Sequence, residues 1–380
     1  MSTDVELLRQ AGVQVEVLAV ESDAFLGTGQ SRTTTAYAEL RKGGSLNVSR
    51  ILNSYYPDVV HIHNALPFFS LRALNRIQRS NAATVMTVHN YRFTCMAGTH
   101  QLDGDPCHMC QGRKTELPGV LNSCYRGSKW QSAAIAAKRL RALPILKALD
   151  HYFALTPELE TYLVDQVGLD ADRVTVRGNT ILNRYLEPAT NEPRGMSDDP
   201  LLYVGRFSEE KGISLLLRAH KALGPGAPRL QVVGSGPLIE EVLRATADAP
   251  SVQYLGRKTQ NEVLGLMRSS SALIIPSTCY EGLPRVAVEA FSAGLPVIAT
   301  NLGALANVIN GSNGICVPPT VEDLSAAMGD LAESRVEEHT TRQEAAYATF
   351  ADRFSPEKSL SSLMSGYEIA LSRAKEARVG

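Results

Sequence analysis

A chain of 380 residues exceeds what one hydrophobic core organises and suits two domains of about 150 to 190 residues. A net charge of −1 and a pI of about 6.7 offer no basic field for nucleic acid. No apolar run approaches the roughly 18 residues of a membrane span, and the opening MSTDVELLRQ lacks the pattern of a secretory signal, so a cytoplasmic protein with reduced thiols is expected.

In chain order, Val5 to Gln10 has helical spacing and stops at Gly12. Val13 to Val20 alternates and predicts a strand. Thr33 to Tyr55 carries a helical pattern broken at Gly43 and Gly44. After Pro57, the run DVVHIHN predicts a buried strand with His61 and His63 near its end. Leu66 to Ser80 reads as helix, and Ala83 to His89 as the next buried strand. Strands alternating with helices predict a parallel α/β sheet, which binds ligands beyond the carboxyl ends of its strands. His63 and His89 stand at such ends, so both are candidates for a site or for structural roles.

Residues 93–128 interrupt this rhythm and hold Cys95, Cys107, Cys110 and Cys124 in the spacing C-x11-C-x2-C-x13-C. A CxxC knuckle with two further thiols fits a tetrahedral structural zinc. Disulfides and ordinary loop thiols are the alternatives. Gln131 to Leu149 predicts a helix with a basic face of Lys138, Arg139, Arg141 and Lys147. Most such faces are simply solvated, and a peripheral membrane contact or an anionic acceptor is the alternative. Asp150 to Leu155 reads as strand, Thr156 caps a helix from Pro157 to Val167, and Arg173 to Arg177 is the last strand of this half. Residues 186–199, rich in Pro, Asp, Asn and Gly, form a linker. The domains are expected at 1–190 and 191–353, with 354–380 a terminal helix returning to the first.

The second half opens with a strand at Leu201 to Val204. Arg206 and Lys211 bracket the loop that follows it, and a helix runs from Ile213 to Ala222. A guanidinium fork and an ammonium at a strand end can converge on diphosphate oxygens. Gly234 and Gly236 follow the strand in LQVVGSGP, and Arg257 ends the strand from Ser251 to Leu255. Gln260 to Ser269 is helix, and Ala272 to Ile275 is a buried strand closed by Pro276. Residues 277–284 form a loop holding Glu281. The next helix starts at Pro284 and Arg285, carries Glu289, and ends at Gly294 before the strand from Val297 to Ala299. Leu283 and Pro284 flank the helix N-terminus, whose uncapped N–H groups receive anions and hydroxyls. Carboxylates grip vicinal hydroxyls in charge-assisted pairs, so these loops suit a nucleotide sugar. Taken singly, each of these charges reads more readily as solvated surface than as a ligand contact. A loop with Gly303, a strand at Ile315 to Val317, a helix from Val321 and the tail from Phe354 complete the chain.

At these residues the second half resembles the retaining GT-B glycosyltransferases of family 4. The pieces are GRFSEEKG, VVGSGP, IIPS with EGLPRVAVEAFSAGLPVIAT, and FSPEKS, spread from Gly205 to Ser359. The first half resembles them more loosely, through PDVVHIHN, TVHNYR and TPELE. The resemblance implies two Rossmann-like, doubly wound parallel-sheet domains facing a cleft, with the nucleotide sugar on the second and the acceptor on the first. It implies that Glu281 lies beside the transferred sugar and Glu289 holds the ribose. Arg206 and Lys211 would grip the diphosphate in place of a catalytic metal, and His89 would reach the donor sugar. Gly234, Gly236, Arg257, Leu283 and Pro284 fall on the donor side. The acceptor would be a glycan, a lipid-linked sugar or a small molecule, in cell-envelope polysaccharide synthesis at the cytoplasmic side, and no nucleic acid is involved. An epimerase or phosphorylase on the same fold, or a non-catalytic nucleotide-sugar-binding paralogue, are the alternatives. One departure stands out. The chain begins in the helix that follows the family's first strand and glycine-rich loop, so the reading frame is expected to extend upstream.

Overall fold

A computed structural model describes residues 2–19, 45–113, 115–182, 185 and 199–379. The chain divides into two compact units. The first comprises Met1–Leu102, Cys107–Arg177 and Leu360–Gly380, and the second Asp103–Pro106 and Gly178–Ser359.

The first unit is built on a four-stranded parallel sheet of β1 (Val59–His63), β2 (Ala83–Val88), β3 (His151–Ala154) and β4 (Val174–Val176), in that order. Both β2 and β3 are buried throughout, and they bury Thr84, Thr87 and His151 along with their apolar residues. Helix α1 (Ser2–Gln10) ends at Gly12, which adopts φ 80° and lets the Val13 amide bond back to the Leu8 carbonyl. Helix α2 (Leu71–Gln78) starts at Ser70, whose hydroxyl accepts from the Ala73 amide and separates it from the short helix Ala65–Phe68. The expected helix over 66–80 is therefore two pieces.

Residues 13–19 form no strand, which corrects the expectation for Val13 to Val20. The alternation is real, because Val13 and Val15 pack on the cluster of Leu8, Val85 and Phe153. It produces no ladder because an inward-facing pattern fixes which side chains are covered, not whether a backbone partner exists. Residues 20–44 and most of the predicted linker lie outside the described residues.

Helix α3 (Lys129–Lys147) is as expected in extent but not in its face. Lys138 and Arg139 are buried, and Arg139 forms an ion pair with Glu116 and bonds to the Arg92 carbonyl. Lys147 reaches the Val167 carbonyl at 2.6 Å. The four cations thus form no continuous basic stripe, and the support for a peripheral membrane contact falls with it. Among the described residues no helix is long and apolar enough to cross a membrane.

The second unit carries a six-stranded parallel sheet. Its strands are β5 (Leu201–Arg206), β6 (Leu230–Ser235), β7 (Val252–Gly256), β8 (Ala272–Ile275), β9 (Val297–Thr300) and β10 (Gly314–Val317). The order β10-β9-β8-β5-β6-β7 reverses direction between β8 and β5. In a doubly wound sheet, the crevice beyond the strand ends at that reversal is where ligands sit. Helix α4 (Ile213–Ala222) follows β5, α5 (Gln260–Arg268) follows β7, and α6 (Arg285–Ser292) joins β8 to β9. Side chains of β5, β6, β8 and α4 share one core with Phe207 and Met328. Burying each large apolar side chain contributes about 1.5–3 kcal/mol, which holds the loop-bearing strand ends in register.

Helix α7 (Pro356–Val379) closes the chain, and from Leu360 onward it belongs to the first unit. Its Leu363, Ala370 and Ala374 enter the core with Phe153. A Cβ on Gly366 would lie 2.3 Å from the Phe153 ring, so only glycine lets the helix seat there.

Candidate active site

At the reversal point of the second sheet, three loops converge on Glu281. The first leaves β5 after Arg206, whose side chain is exposed, while Phe207 turns into the core. It runs through Lys211 to Gly212 (φ 67°, ψ 22°). A Cβ on Gly212 would sit 1.7 Å from the Pro276 carbonyl oxygen, so this loop lies directly on the end of β8. Thr278 stitches the two together, donating its amide to the Glu210 carbonyl at 3.1 Å and its hydroxyl to the Glu209 carbonyl at 3.0 Å. The third loop follows β9. A Cβ on Gly303 would lie 2.7 Å from the Glu281 carbonyl, which accepts from the Ala304 amide at 3.1 Å.

The side chains follow from this backbone. Lys211 Nζ donates to Glu281 Oε2 at 2.6 Å, and the Ser277 hydroxyl donates to Glu281 Oε1. Burial pulls the Lys211 ammonium down, but the Glu281 carboxylate outweighs it and raises its pKa. Lys211 therefore stays cationic, with a third of its side chain (34%) exposed, whereas Glu281 is 12% exposed.

Glu289 forms a second group on α6. It accepts from Gln260 Nε2 at 3.2 Å, and Arg285 lies 3.6 Å away. Burial raises its pKa, and Arg285 and Gln260 only partly oppose that. Pro284 caps α6 without a side-chain bond, and the Leu283 carbonyl accepts from Asn179 at 2.8 Å.

Gly234 and Gly236 serve the backbone first. A Cβ on Gly234 would meet the Gly205 carbonyl at 1.8 Å, and one on Gly236 the Phe207 carbonyl at 2.3 Å. These close approaches tie the loop after β6 to the Arg206 loop. Arg257 is exposed at the end of β7, the edge strand two positions from the reversal, and so stands apart from the Lys211–Glu281 pair in strand order.

In the first unit, His63 and His89 end adjacent strands, and His63 Nδ1 lies 2.9 Å from His89 Nε2. Asp4 of α1 stands 3.9 Å from His63 Nε2 and forms a close ion pair with Arg177. His61 bonds to Tyr367 and Thr87 at 2.8 and 2.7 Å and stacks on His63. Burial holds His63 down to about 3 and His89 to about 4, so both are neutral near pH 7.

Cys95, Cys107, Cys110 and Cys124 are free and half-buried, and all four line one small cavity with His100 and His108. Among the described residues no three His, Cys, Asp or Glu side chains are placed to hold a metal ion together.

Residues 5–181 match the family described as Glycosyltransferase Family 4, and residues 199–334 that described as Glycosyl transferases group 1. The chain is a family 4-like glycosyltransferase of GT-B type. Glycogen synthase of Mycobacterium tuberculosis is 28% identical to it over 340 residues, 85% of this chain and 72% of that protein. HepE of Anabaena, solved with UDP and glucose, superposes with a TM-score of 0.61 at 17% identity, covering 95% of this chain and 88% of its own. TarM of S. aureus, solved with Fondaparinux, α-GlcNAc-glycerol and UDP, gives 0.58 at 13% identity over 81% of this chain. The glycosyltransferase spans 55% of TarM's length. At these identities the solved structures speak for the fold.

Of the expected site residues, the glycosyltransferase brings Lys211 and Glu281 into contact and sets Arg206 at the same strand end. Ser277, Gln260, Asp4 and Arg177 join these groups; Ser277 closes the IIPS piece but was given no role, and no motif marks the other three. For Arg177 the only signal was position, at the end of the last strand of its half.

Proposed function

We propose that the protein transfers a sugar, with retention, from a nucleoside-diphosphate sugar to a hydroxyl of a glycan, a lipid-linked sugar or a small molecule. The observation that carries this reading is the convergence of three strand-end loops on the Lys211–Glu281 pair at the reversal point of the second sheet. Arg206 and Lys211 take the diphosphate, Glu289 the ribose hydroxyls, and Glu281 the transferring sugar. His89 is assigned a contact with that sugar, and acceptor binding is assigned to the first unit. Leu283 and Pro284 lie at the N-terminus of α6, where uncapped N–H groups favour negative charge. HepE, solved with UDP and glucose, supports a uridine-diphosphate donor by likeness of fold.

The charge pattern suits a same-face substitution. Glu281 is held by Lys211 and Ser277, an arrangement for orienting hydroxyls rather than for attacking carbon. The leaving diphosphate then accepts the acceptor's proton, while Arg206 and Lys211 stabilise the charge that develops on it. Calorimetry with free nucleotide and transfer assays on two variants test the division of roles. Glu289→Ala should lose nucleotide and nucleotide sugar alike, whereas Glu281→Ala should keep free-nucleotide binding and lose transfer. Equal loss of nucleotide binding in both would sink the assignment. Release of free nucleotide without any acceptor would point to an epimerase instead.

A second proposal concerns the insertion. Cys95, Cys107, Cys110 and Cys124 hold one structural zinc, a reading supported by their spacing and by the single cavity they share. The metal would draw the thiolates together and tie down residues 93–128.

A further inference from the structure

We infer that Asp4 and His63 are positioning residues that fix the tautomer of His89, leaving its Nδ1 as a bare hydrogen-bond acceptor. The inference rests on the assignment of His89 to the reacting sugar for its use, though not for its test.

Proton placement decides the tautomer. A neutral imidazole has one N–H and one lone pair, and the partner of one nitrogen decides the state of the other. His63 Nδ1 and His89 Nε2 are 2.9 Å apart, so one proton lies between them. If it belonged to His63 Nδ1, the lone pair of His63 Nε2 would face the Asp4 carboxylate across 3.9 Å. Two acceptors would then confront each other in a buried place. If the proton belongs to His89 Nε2, His63 instead carries its N–H on Nε2, directed at the carboxylate. Electrostatics select this second arrangement, and His89 Nδ1 is then bare.

The surrounding groups keep the selection intact. Burial works against the Asp4 carboxylate, but Arg177 outweighs it and holds the carboxyl well below its usual range, so the charge that orients His63 persists. Burial keeps His63 and His89 neutral. His61, stacked on His63 with ring centroids 4.4 Å apart, has both nitrogens engaged by Tyr367 and Thr87 and does not compete for the shared proton. The order Arg177, Asp4, His63, His89 is a relay of orientation with an ion pair at its far end, the logic by which a buried carboxylate holds a catalytic histidine in one tautomer.

The test is two-bond proton–nitrogen correlation on the full chain labelled with 15N-histidine, with His89 assigned by loss of its signals in His89→Gln. The wild type should show His89 as a single Nε2–H tautomer. Asp4→Asn should convert it to the Nδ1–H form or a mixture, and Asp4→Glu should preserve the wild-type pattern. Where Asp4→Asn does not fold, His63→Phe cuts the same relay and should release the tautomer. A wild-type His89 in the Nδ1–H or imidazolium form near neutral pH overturns the inference. So does an unchanged tautomer in a folded Asp4→Asn or His63→Phe protein. If the tautomer behaves as expected while His89→Gln transfers sugar normally, the assignment of His89 to the sugar fails and the relay stands.

Discussion

Replacing Gly212 by alanine tests whether the loop after β5 must lie on the end of β8. The added Cβ would fall 1.7 Å from the Pro276 carbonyl oxygen and 2.6 Å from its carbon, both backbone atoms. An ordinary carbon–oxygen contact is about 3.3 Å, so the loops must part by roughly 1.5 Å. At φ 67° alanine also pays for a left-handed backbone, about 1–2 kcal/mol. Overpacking adds about 1–3 kcal/mol, for a total of about 2–5 kcal/mol. In a domain of this size that lowers Tm by roughly 5–15 °C. Function should suffer more than stability, because Lys211 adjoins Gly212 and a displacement near 1 Å can cost on the order of a hundredfold in rate. The assay is thermal melting followed by calorimetry with a nucleoside diphosphate. Gly265→Ala is the control: its Cβ meets nothing within 4 Å inside α5, so it should raise stability by up to about 1 kcal/mol. Wild-type Tm and wild-type affinity in Gly212→Ala would refute the claim that this close approach builds the site.

Arg206→Ala and Lys211→Ala should each weaken nucleoside-diphosphate binding by about 1.5–3 kcal/mol without unfolding the protein, and unchanged affinity in both refutes their assignment to the diphosphate. Metal analysis of protein purified without a histidine tag should find one zinc per chain, lost when Cys107 and Cys110 are replaced together; a metal-free wild type ends that proposal. Acid should destabilise the first unit before ordinary carboxylates protonate. His63 and His89 are held near 3 and 4 against an ordinary 6.5, so between those values the unfolded chain takes up protons that the native one refuses. Stability is full above about pH 6.5 and falls as pH drops toward 4. The loss in Tm on going from about pH 7.5 to about pH 5 should be smaller in His89→Gln, and a loss of equal size would contradict it.

The second unit was legible almost element by element because both faces of its sheet are covered. The strands Ala272–Ile275 and Val297–Thr300 are buried at every residue, so they read as short apolar runs punctuated by Pro276 and Pro296. Strand ends mark ligand loops in such sheets, which is why Arg206, Lys211, Glu281 and Glu289 could be singled out. Their pairing could not. Lys211 and Glu281 are 70 positions apart, and they meet only because β5 and β8 are neighbours in the strand order. The first unit was harder. Residues 13–19 alternate as a strand would, yet the pattern records packing on Leu8 and Phe153 and no ladder. On α3, helical spacing gathered four cations, but Glu116 sits 23 positions before Arg139 and takes its charge inward. The Asp4–Arg177 pair joins the first helix to the end of the last strand, an interaction of tertiary origin that no local pattern encodes.

The Lys211–Glu281 ion pair changes how Arg206→Ala and Lys211→Ala should be compared. Arg206 is exposed at the strand end, so removing it deletes one charge that water already solvates. Lys211 is tied to a carboxylate that is 12% exposed, and removing it strands that carboxylate with Ser277 alone. Truncating one member of a buried pair measures the cost of the orphaned partner together with the attraction that held the pair. A larger effect in Lys211→Ala than in Arg206→Ala would therefore not rank their grips on the diphosphate. The double variant lacking both Lys211 and Glu281 side chains separates the two contributions, since it removes the orphan along with the cation. Whatever affinity that double variant recovers over Lys211→Ala belongs to Glu281 left unpaired, and the remainder is the ammonium's own hold on the phosphates.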